Sequence, residues 1–166
     1  MLKILYSSEL DQIASFIDEI HMQQISCGQI NKIECYEGVN LISFDWYNIL
    51  DKESDPEQIT IYNTSEHLFF ICENDSCYNL VNQLVKEDAS NEKTLYIFFT
   101  ELIKNDIAYI DELEERITDT EDDLITSSNK ECAHEIIDFR RELLKLKRYY
   151  EQLNHIFKSL SKMKMG

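Results

Sequence analysis

The strongest constraint on this chain is the stretch from residue 94 to residue 162, which contains neither glycine nor proline. Apolar side chains recur along it at alternating steps of about three and four residues, the spacing of a heptad seam on an α-helix. This spacing predicts two long helices, at 94–126 and 130–161. The seam positions, two of them polar, are Leu95, Phe99, Leu102, Asp106, Tyr109, Leu113, Ile117, Thr120 and Leu124 in the first helix and Ile136, Phe139, Leu143, Leu146, Tyr150, Leu153, Phe157 and Leu160 in the second.

A short polar segment at 126–129 separates the two predicted helices. Ser128, followed a turn later by Glu131, is a capping-box pattern for the start of the second helix. Two helices joined by so short a turn pack as an antiparallel hairpin. At 1.5 Å per residue, the first helix would be about 50 Å long.

The seams also predict the register of the hairpin. They place Leu113 opposite Leu143, and Asp106 opposite Tyr150. A buried carboxylate is costly unless a hydrogen-bond donor reaches it. We therefore predict a hydrogen bond to Asp106 from Tyr150, or a salt bridge to Asp106 from the neighbouring Lys147.

The first part of the chain has shorter and more mixed patterns. Helical spacing predicts an amphipathic helix at 9–24, alternation predicts antiparallel strands at about 32–73, and a second helical pattern begins at residue 76. The predicted fold class is α+β: a small, mostly antiparallel sheet with packing helices, followed by a long antiparallel two-helix coiled-coil hairpin. The predicted domains are an α/β lobe at 1–92 and the hairpin at 93–162.

The chain is strongly acidic, with a formal net charge of −16 and a sequence pI near 4.5. Such a surface repels phosphate backbones, so the charge predicts no nucleic-acid partner. Acids dominate residues 106–123, whereas bases outnumber acids in 130–164. The favoured interpretation of the acidic run 111–123 is a solvated helix face, because its carboxylates are spread around the helix. Diffuse attraction of divalent cations is the alternative.

The residues that carry chemistry form no catalytic set, and the prediction is that the chain is not an enzyme. Three isolated glycines cannot build a phosphate-binding loop, and no nucleophile elbow is present. A zinc site requires paired Cys or His ligands at fixed spacing, and the sequence offers no second pair. Cys72 and Cys77 are therefore predicted to be packing residues, and Cys132 and His134 are predicted to lie on the surface. His67 opens a strand, where a stacking or rim role is expected.

The chain shows no signs of secretion or membrane insertion. Five scattered cysteines, an odd number, are typical of reduced thiols in a cytosolic protein. The N-terminus lacks the pattern of a signal peptide. No apolar run approaches the ~20 residues that a membrane-spanning helix needs.

Two stretches resemble the cytoplasmic domain of CorA-type magnesium transporters. The segment KIECYEG at 32–38, running into the strand LISFDWY, is similar to the family's entry into its sheet. The segment YIDELEERITDTEDDLI at 109–125 resembles the family's acid-rich helix, and DFRRELLKLKRYYEQL at 138–153 resembles the basic helix that returns from it. The resemblance covers roughly residues 30–160. The family's stalk helix, membrane spans and Gly-Met-Asn signature have no counterpart in these residues.

The resemblance implies a cytoplasmic, non-catalytic domain that senses ions and biases the gate of a Mg²⁺ or other divalent-cation transporter. It implies weak regulatory binding of the cation, a pentamer in the full-length protein, and contacts with the stalk and membrane domain of the same protein at the cytoplasmic face of the cell membrane. Regulatory sites in the family pair carboxylates from neighbouring subunits. Asp18 and Glu19 are the candidate ligands on the lobe side.

A free-standing acidic interaction protein is the alternative function. In that case the hairpin would dock another coiled coil or a basic partner. Two apolar spans encoded downstream of residue 166 would support the transporter, and a stop codon there would support the adaptor.

Overall fold

The computed structural model describes residues 1–30, 32–51, 53–127 and 130–163. Its centre is a five-stranded sheet of order β1-β5-β4-β3-β2. β1 runs parallel to β5, and the other neighbouring pairs are antiparallel. The strands are β1 Leu2–Tyr6, β2 Ile33–Tyr36, β3 Val39–Trp46, β4 Glu57–Asn63 and β5 Leu68–Cys72.

Five α-helices and two short 3₁₀ segments, Ser7–Gln12 and Ala14–Phe16, surround this sheet in the described ranges. The helices are α1 Glu19–Ser26, α2 Asp75–Leu84, α3 Asn91–Ile103, α4 Asp106–Ser127 and α5 Lys130–Met163. The predicted α+β fold class, with its helical hairpin, is confirmed. The boundary between the predicted domains at residue 92 stays a prediction.

The two faces of the sheet bury different residues, because successive side chains of a strand point to opposite sides. Leu41 and Phe69 belong to the smaller cluster, which the 3₁₀ segments and α1 cover. Ile42 and Phe70, each one residue further on, belong to the larger cluster, which α2, α3 and α5 complete. The sheet and the hairpin therefore share one apolar core.

The N-terminal region differs from its prediction in two ways. β1 was not predicted, because it is a short strand whose pairing partner, β5, lies more than 60 residues further along the sequence. The predicted helix at 9–24 is wrong, because this region forms 3₁₀ turns and α1 begins only at Glu19. Asp18 has an extended backbone and caps α1 with its side chain, which separates the two segments. The apolar spacing correctly marked Ile13 and Ile17 as buried, although these residues do not lie on one continuous helix.

The predicted helix at 94–126 bends between α3 and α4. No glycine or proline causes the bend. The backbone N–H of Lys104 donates to the carbonyl of Glu101 at 3.4 Å, a tighter turn than the α-helical one. The bend lets α3 pack on the sheet while α4 pairs with α5. The predicted cap at Ser128 lies outside the described residues.

The predicted register of the hairpin is confirmed at the contact between Asp106 and Tyr150. Tyr150 Oη donates to Asp106 Oδ2 at 2.8 Å, as predicted. Further towards the turn, Thr120 Oγ1 donates to Glu135 Oε2 at 3.1 Å. The seam of α4 is buried or half-buried at all its predicted positions from Asp106 onward.

The prediction of which α5 residues form the seam is partly wrong. Its most buried positions include Glu142, Tyr149 and Ile156, each one residue before a predicted seam position. Leu143, which was predicted to face Leu113, is 47% exposed. The reason is that α5 packs against the sheet as well as against α4, which turns the buried face towards the sheet.

Leu113 and Leu143 provide a matched test of this packing, since Leu113 is only 2% exposed. We expect Leu113→Ala to lower the free energy of unfolding by about 2–5 kcal/mol, the usual cost of an enclosed leucine. Leu143→Ala should cost less than about 1 kcal/mol. Urea denaturation followed by circular dichroism measures both, and equal losses would show that the assigned buried face of α5 is wrong.

Candidate functional site

The two predicted ligand residues lie together at the start of α1. Asp18 is the N-cap of this helix and Glu19 is its first residue, and both are exposed. Asp18 Oδ1 accepts the backbone N–H of His21 at 2.8 Å. Asp18 Oδ2 lies 2.5 Å from His21 Nδ1. Asp18 therefore both caps the helix and orients an imidazole.

A polar network continues from His21 onto β2. The His21 ring lies against the ring of Tyr36, with centroids 4.6 Å apart. Tyr36 Oη donates to Glu34 Oε2 at 2.7 Å, and Gln24 Nε2 donates to both of these oxygens at 2.8 Å. We name Asp18, His21, Gln24, Glu34 and Tyr36 the α1–β2 network.

The network controls the charge of its acidic members. The backbone N–H of His21 lowers the pKa of Asp18 below its ordinary value; partial burial opposes this, and the nearby imidazole adds to it. Gln24 acts to lower the pKa of Tyr36, but the bond to Glu34 and partial burial outweigh it and raise that pKa. Asp18 is thus held as a carboxylate and Tyr36 as a neutral phenol at neutral pH.

An ionised carboxylate at the surface is a suitable ligand for Mg²⁺, which prefers oxygen donors. Mg²⁺ requires about six oxygen ligands, and one or two carboxylates supply only part of that shell. In the four described ranges, no three His, Cys, Asp or Glu side chains are placed to hold a metal ion. Asp18 and Glu19 can therefore contribute to a cation site only with water and groups from elsewhere.

The cysteines near β5 are packing residues, as predicted. Cys72 and Cys77 are fully buried, and Cys77 Sγ lies 3.9 Å from the carbonyl oxygen of Gln58. Burial raises the pKa of Cys72 to about 12 and also raises the pKa of Cys77. Both thiols therefore stay protonated, the form that neither binds zinc nor attacks a substrate.

Of the other predictions for single residues, two are confirmed and one is wrong. His67 stacks on Phe69 with ring centroids 5.5 Å apart, which confirms its stacking role. His134 is exposed, as predicted. Cys132, predicted at the surface, is buried instead. It lies two turns before Phe139 on α5 and so faces α4.

A buried carboxylate lies where α3 bends into α4. Asp106 is 7% exposed, and burial raises its pKa above the ordinary value despite the hydrogen bond from Tyr150. The acids of the 111–123 run, by contrast, are exposed along α4. This exposure favours the interpretation of a solvated face.

The described helices contain none that is both long enough and apolar enough to cross a membrane. The sequence profile described as CorA-like Mg²⁺ transporter protein matches residues 7–165. This chain belongs to the CorA-like family. No curated protein matches its sequence.

Two solved structures share the fold of this CorA-like chain. One is described as the full-length CmaX protein; it is 11% identical, with a TM-score of 0.73, and the match covers 96% of this chain and 53% of that protein. The other is the soluble domain of CorA from Methanocaldococcus jannaschii; it is 19% identical, with a TM-score of 0.57, and the match covers 89% of this chain and 62% of that one. The CorA-like chain thus spans about half to three-fifths of their length.

Only part of the α1–β2 network could be found from the sequence. Asp18 and Glu19 were selected, and Glu34 and Tyr36 fall in the stretch that resembles the family. His21 and Gln24 were not selected. Two spacings could have revealed the network. His21 and Gln24 are three residues apart, on one face of a helix, and Glu34 and Tyr36 are two residues apart, on one face of a strand. Their contact depends on how α1 lies against β2, which no local pattern reveals.

The raised pKa of Asp106 generates a prediction. The folded state keeps the proton of Asp106 at pH values where the unfolded chain has lost it, so the stability contributed by this group falls as pH rises. Asp106→Asn removes this titration and keeps an oxygen that accepts from Tyr150. The stability of Asp106→Asn relative to the parent should therefore increase from about pH 4 to pH 7.

Urea denaturation across this pH range measures the effect. Asp111→Asn, on the exposed face of the same helix, is the matched control and should show no such trend. A parallel trend in both variants would mean that the surface charge of α4, rather than burial of Asp106, is responsible.

Proposed function

We propose that this chain is the ion-sensing, non-catalytic domain of a CorA-like transporter for Mg²⁺ or a similar divalent cation, at the cytoplasmic face of the membrane. The observation that carries the proposal is the family match over residues 7–165. The match of fold with the soluble domain of an archaeal CorA supports it. The remaining parts of the transporter, a stalk and a membrane domain, would belong to the same full-length protein.

The cation acts on this domain as a weak regulatory ligand. Asp18 and Glu19 are exposed and can offer carboxylate oxygens to a hydrated ion. The rest of the coordination shell would come from water and from carboxylates of a stalk or of a neighbouring subunit. We propose that these subunits form a homo-pentamer, as the family resemblance implies. An ion that bridges two subunits stabilises the arrangement in which the bridge can form. Binding of the internal cation would thereby favour a closed gate.

His21 sets a condition on this mechanism. Its Nδ1 lies 2.5 Å from Asp18 Oδ2, the oxygen that a bridging ion would approach. An ion that binds this oxygen would therefore have to displace the imidazole from it.

The coding sequence that follows residue 166 tests the transporter assignment. Two apolar segments of about 20 residues each are expected there. A stop codon in their place would instead support the free-standing interaction protein. The partly exposed Ile110 and Leu143 on the hairpin are the observation that favours this second function.

Asp18→Asn tests the sensing role within the full-length protein. Asparagine caps helices as well as aspartate does, so the fold of α1 is retained while the charge is lost. We expect uptake of Mg²⁺ into cells to become less sensitive to inhibition by internal Mg²⁺, with uptake itself retained.

Asp11→Asn, another exposed acid in the same part of the lobe, is the matched control and should behave like the parent. Unchanged inhibition in Asp18→Asn would remove Asp18 from the sensing site but leave the transporter assignment intact. Absence of Mg²⁺ transport by the full-length parent would remove the assignment itself.

A further inference from the structure

A cavity of about 880 Å³ lies between α3, α5 and the sheet. Its volume is within the usual range of sites for small molecules. Its walls are mostly apolar, with Phe99 and Ile103 on α3 and Phe157 on α5. Phe99 is buried, the other two are half-buried, and Tyr96 at the mouth is 67% exposed. The cavity is therefore a slot that runs from the surface down to the apolar core.

Two asparagines line one end of the cavity. Asn40 of β3 and Asn63 of β4 are paired directly across the two strands, so their side chains lie on the same face of the sheet. The next pair on this face, Ile42 and Ile61, belongs to the apolar core. Polar residues at positions that continue an apolar face are typical of functional sites.

The amide oxygens of this pair have no hydrogen-bond partner among the residues that the structure describes. Asn63 is only 5% exposed and Asn40 is half-buried, and both Oδ1 atoms are closed to solvent. A buried acceptor without a donor costs free energy. The χ2 torsion of asparagine is soft, so both amides can turn towards a donor in the cavity. The pair therefore favours an occupant that donates hydrogen bonds.

The charge at this end of the cavity is negative. In the described ranges, Glu92 is the only charged side chain that lines the cavity, and it is exposed at the rim. It lies near the asparagine pair, because the preceding Asn91 donates through Nδ2 to the carbonyl of Thr64, the residue after Asn63. The net charge of −16 also attracts cations to the whole surface. A positively charged donor therefore suits this end best.

We propose that the cavity binds a small amphiphilic primary amine. Its ammonium group would lie between the two asparagines and Glu92, and its apolar chain would lie along Phe99 and Phe157. A primary ammonium group carries three N–H donors on one atom, which is enough for both amide oxygens and the carboxylate. From Glu92 to Ile103, α3 rises roughly 16 Å, which leaves room for an alkyl chain of about eight carbons. The proposal does not rest on the transporter assignment.

The stalk that the proposed function gives to the full-length protein is the other candidate occupant. Leu160 lines the cavity and α5 ends at Met163, so the residues that follow would leave close to the mouth. A helix is about 10 Å across, so it would rest on exposed rim residues such as Tyr96 and reach the asparagines only through a single side chain. A narrow alkyl chain reaches the buried Phe99 as well as the rim, which favours the amine.

Isothermal titration calorimetry of the 166-residue chain at pH 7 tests the proposal with three probes. We expect n-octylamine to bind with a Kd below about 1 mM. n-Octyltrimethylammonium has the same charge and chain but no N–H, so it should bind at least about tenfold more weakly. Octanoate should not bind. Equal affinities of the two cations would show that charge alone attracts them and would refute the proposal, as would the absence of octylamine binding.

Two variants place the amine at the asparagine end. Asn63→Leu removes an acceptor at nearly constant volume and should weaken octylamine binding at least about tenfold, with circular dichroism checking the fold. Glu92→Gln changes only an exposed side chain and should weaken binding about two- to fivefold. Glu87→Gln, another exposed acid just before α3, is the matched control and should bind like the parent. Equal effects of the two glutamate variants, or unchanged binding by folded Asn63→Leu, would overturn the proposal.

Thiol labelling of Tyr96→Cys distinguishes the amine from the stalk. N-ethylmaleimide should modify this position in the 166-residue chain and in the full-length protein at similar rates, followed by mass spectrometry of the modified peptide. Octylamine should slow the labelling in both proteins. Protection of this position in the full-length protein without amine would show that the following segment occupies the cavity, and would overturn the proposal.

Discussion

The fold depends on a line of aromatic contacts that joins the sheet to α3 and α5. Phe98 of α3 meets Phe70 of β5 edge to face at 4.9 Å between centroids. Phe99, its neighbour, lies 5.8 Å from Phe44 of β3 and 5.3 Å from Phe157 of α5. Edge-to-face pairs add directionality to ordinary apolar burial. Because these contacts hold α3 and α5 on one face of the sheet, they determine where the rest of the hairpin starts.

The long helices were predictable from the sequence because each carries a sustained heptad pattern, and the contact between Asp106 and Tyr150 followed from their register. The bend at Lys104 was not predictable, since no local breaker marks it. It was also not predictable that the buried position on α5 would be Glu142 rather than Leu143. A heptad pattern describes packing against one neighbour, and α5 has two, so the sheet alters which residues are buried.

The candidate site shows the same limit more strongly. The family resemblance selected Asp18 and Glu19, and their role as ligands stays a prediction. The role of Asp18 in holding His21 depends on where α1 begins. Tyr36 and Glu34 join the site through the pairing of β2 with β3 and the position of α1. A sequence can point to individual carboxylates, but the groups that set their charge and access come from other elements. The completing ligands of a bridging site would lie beyond this chain altogether.

The continuity of α5 has a mechanical consequence. This helix has 34 residues and is unbroken. In its second half, Gln152 Oε1 accepts hydrogen bonds from Lys32 Nζ and from the backbone N–H of Asp45 on β3. An α-helix is stiff over this length, so α5 behaves as a lever with its pivot at the sheet. From Gln152 to the start of the helix is roughly 33 Å, so a tilt of about 5° at the pivot corresponds to about 3 Å of travel at the hairpin tip. Load applied at the tip would therefore reach the sheet as torque on β3.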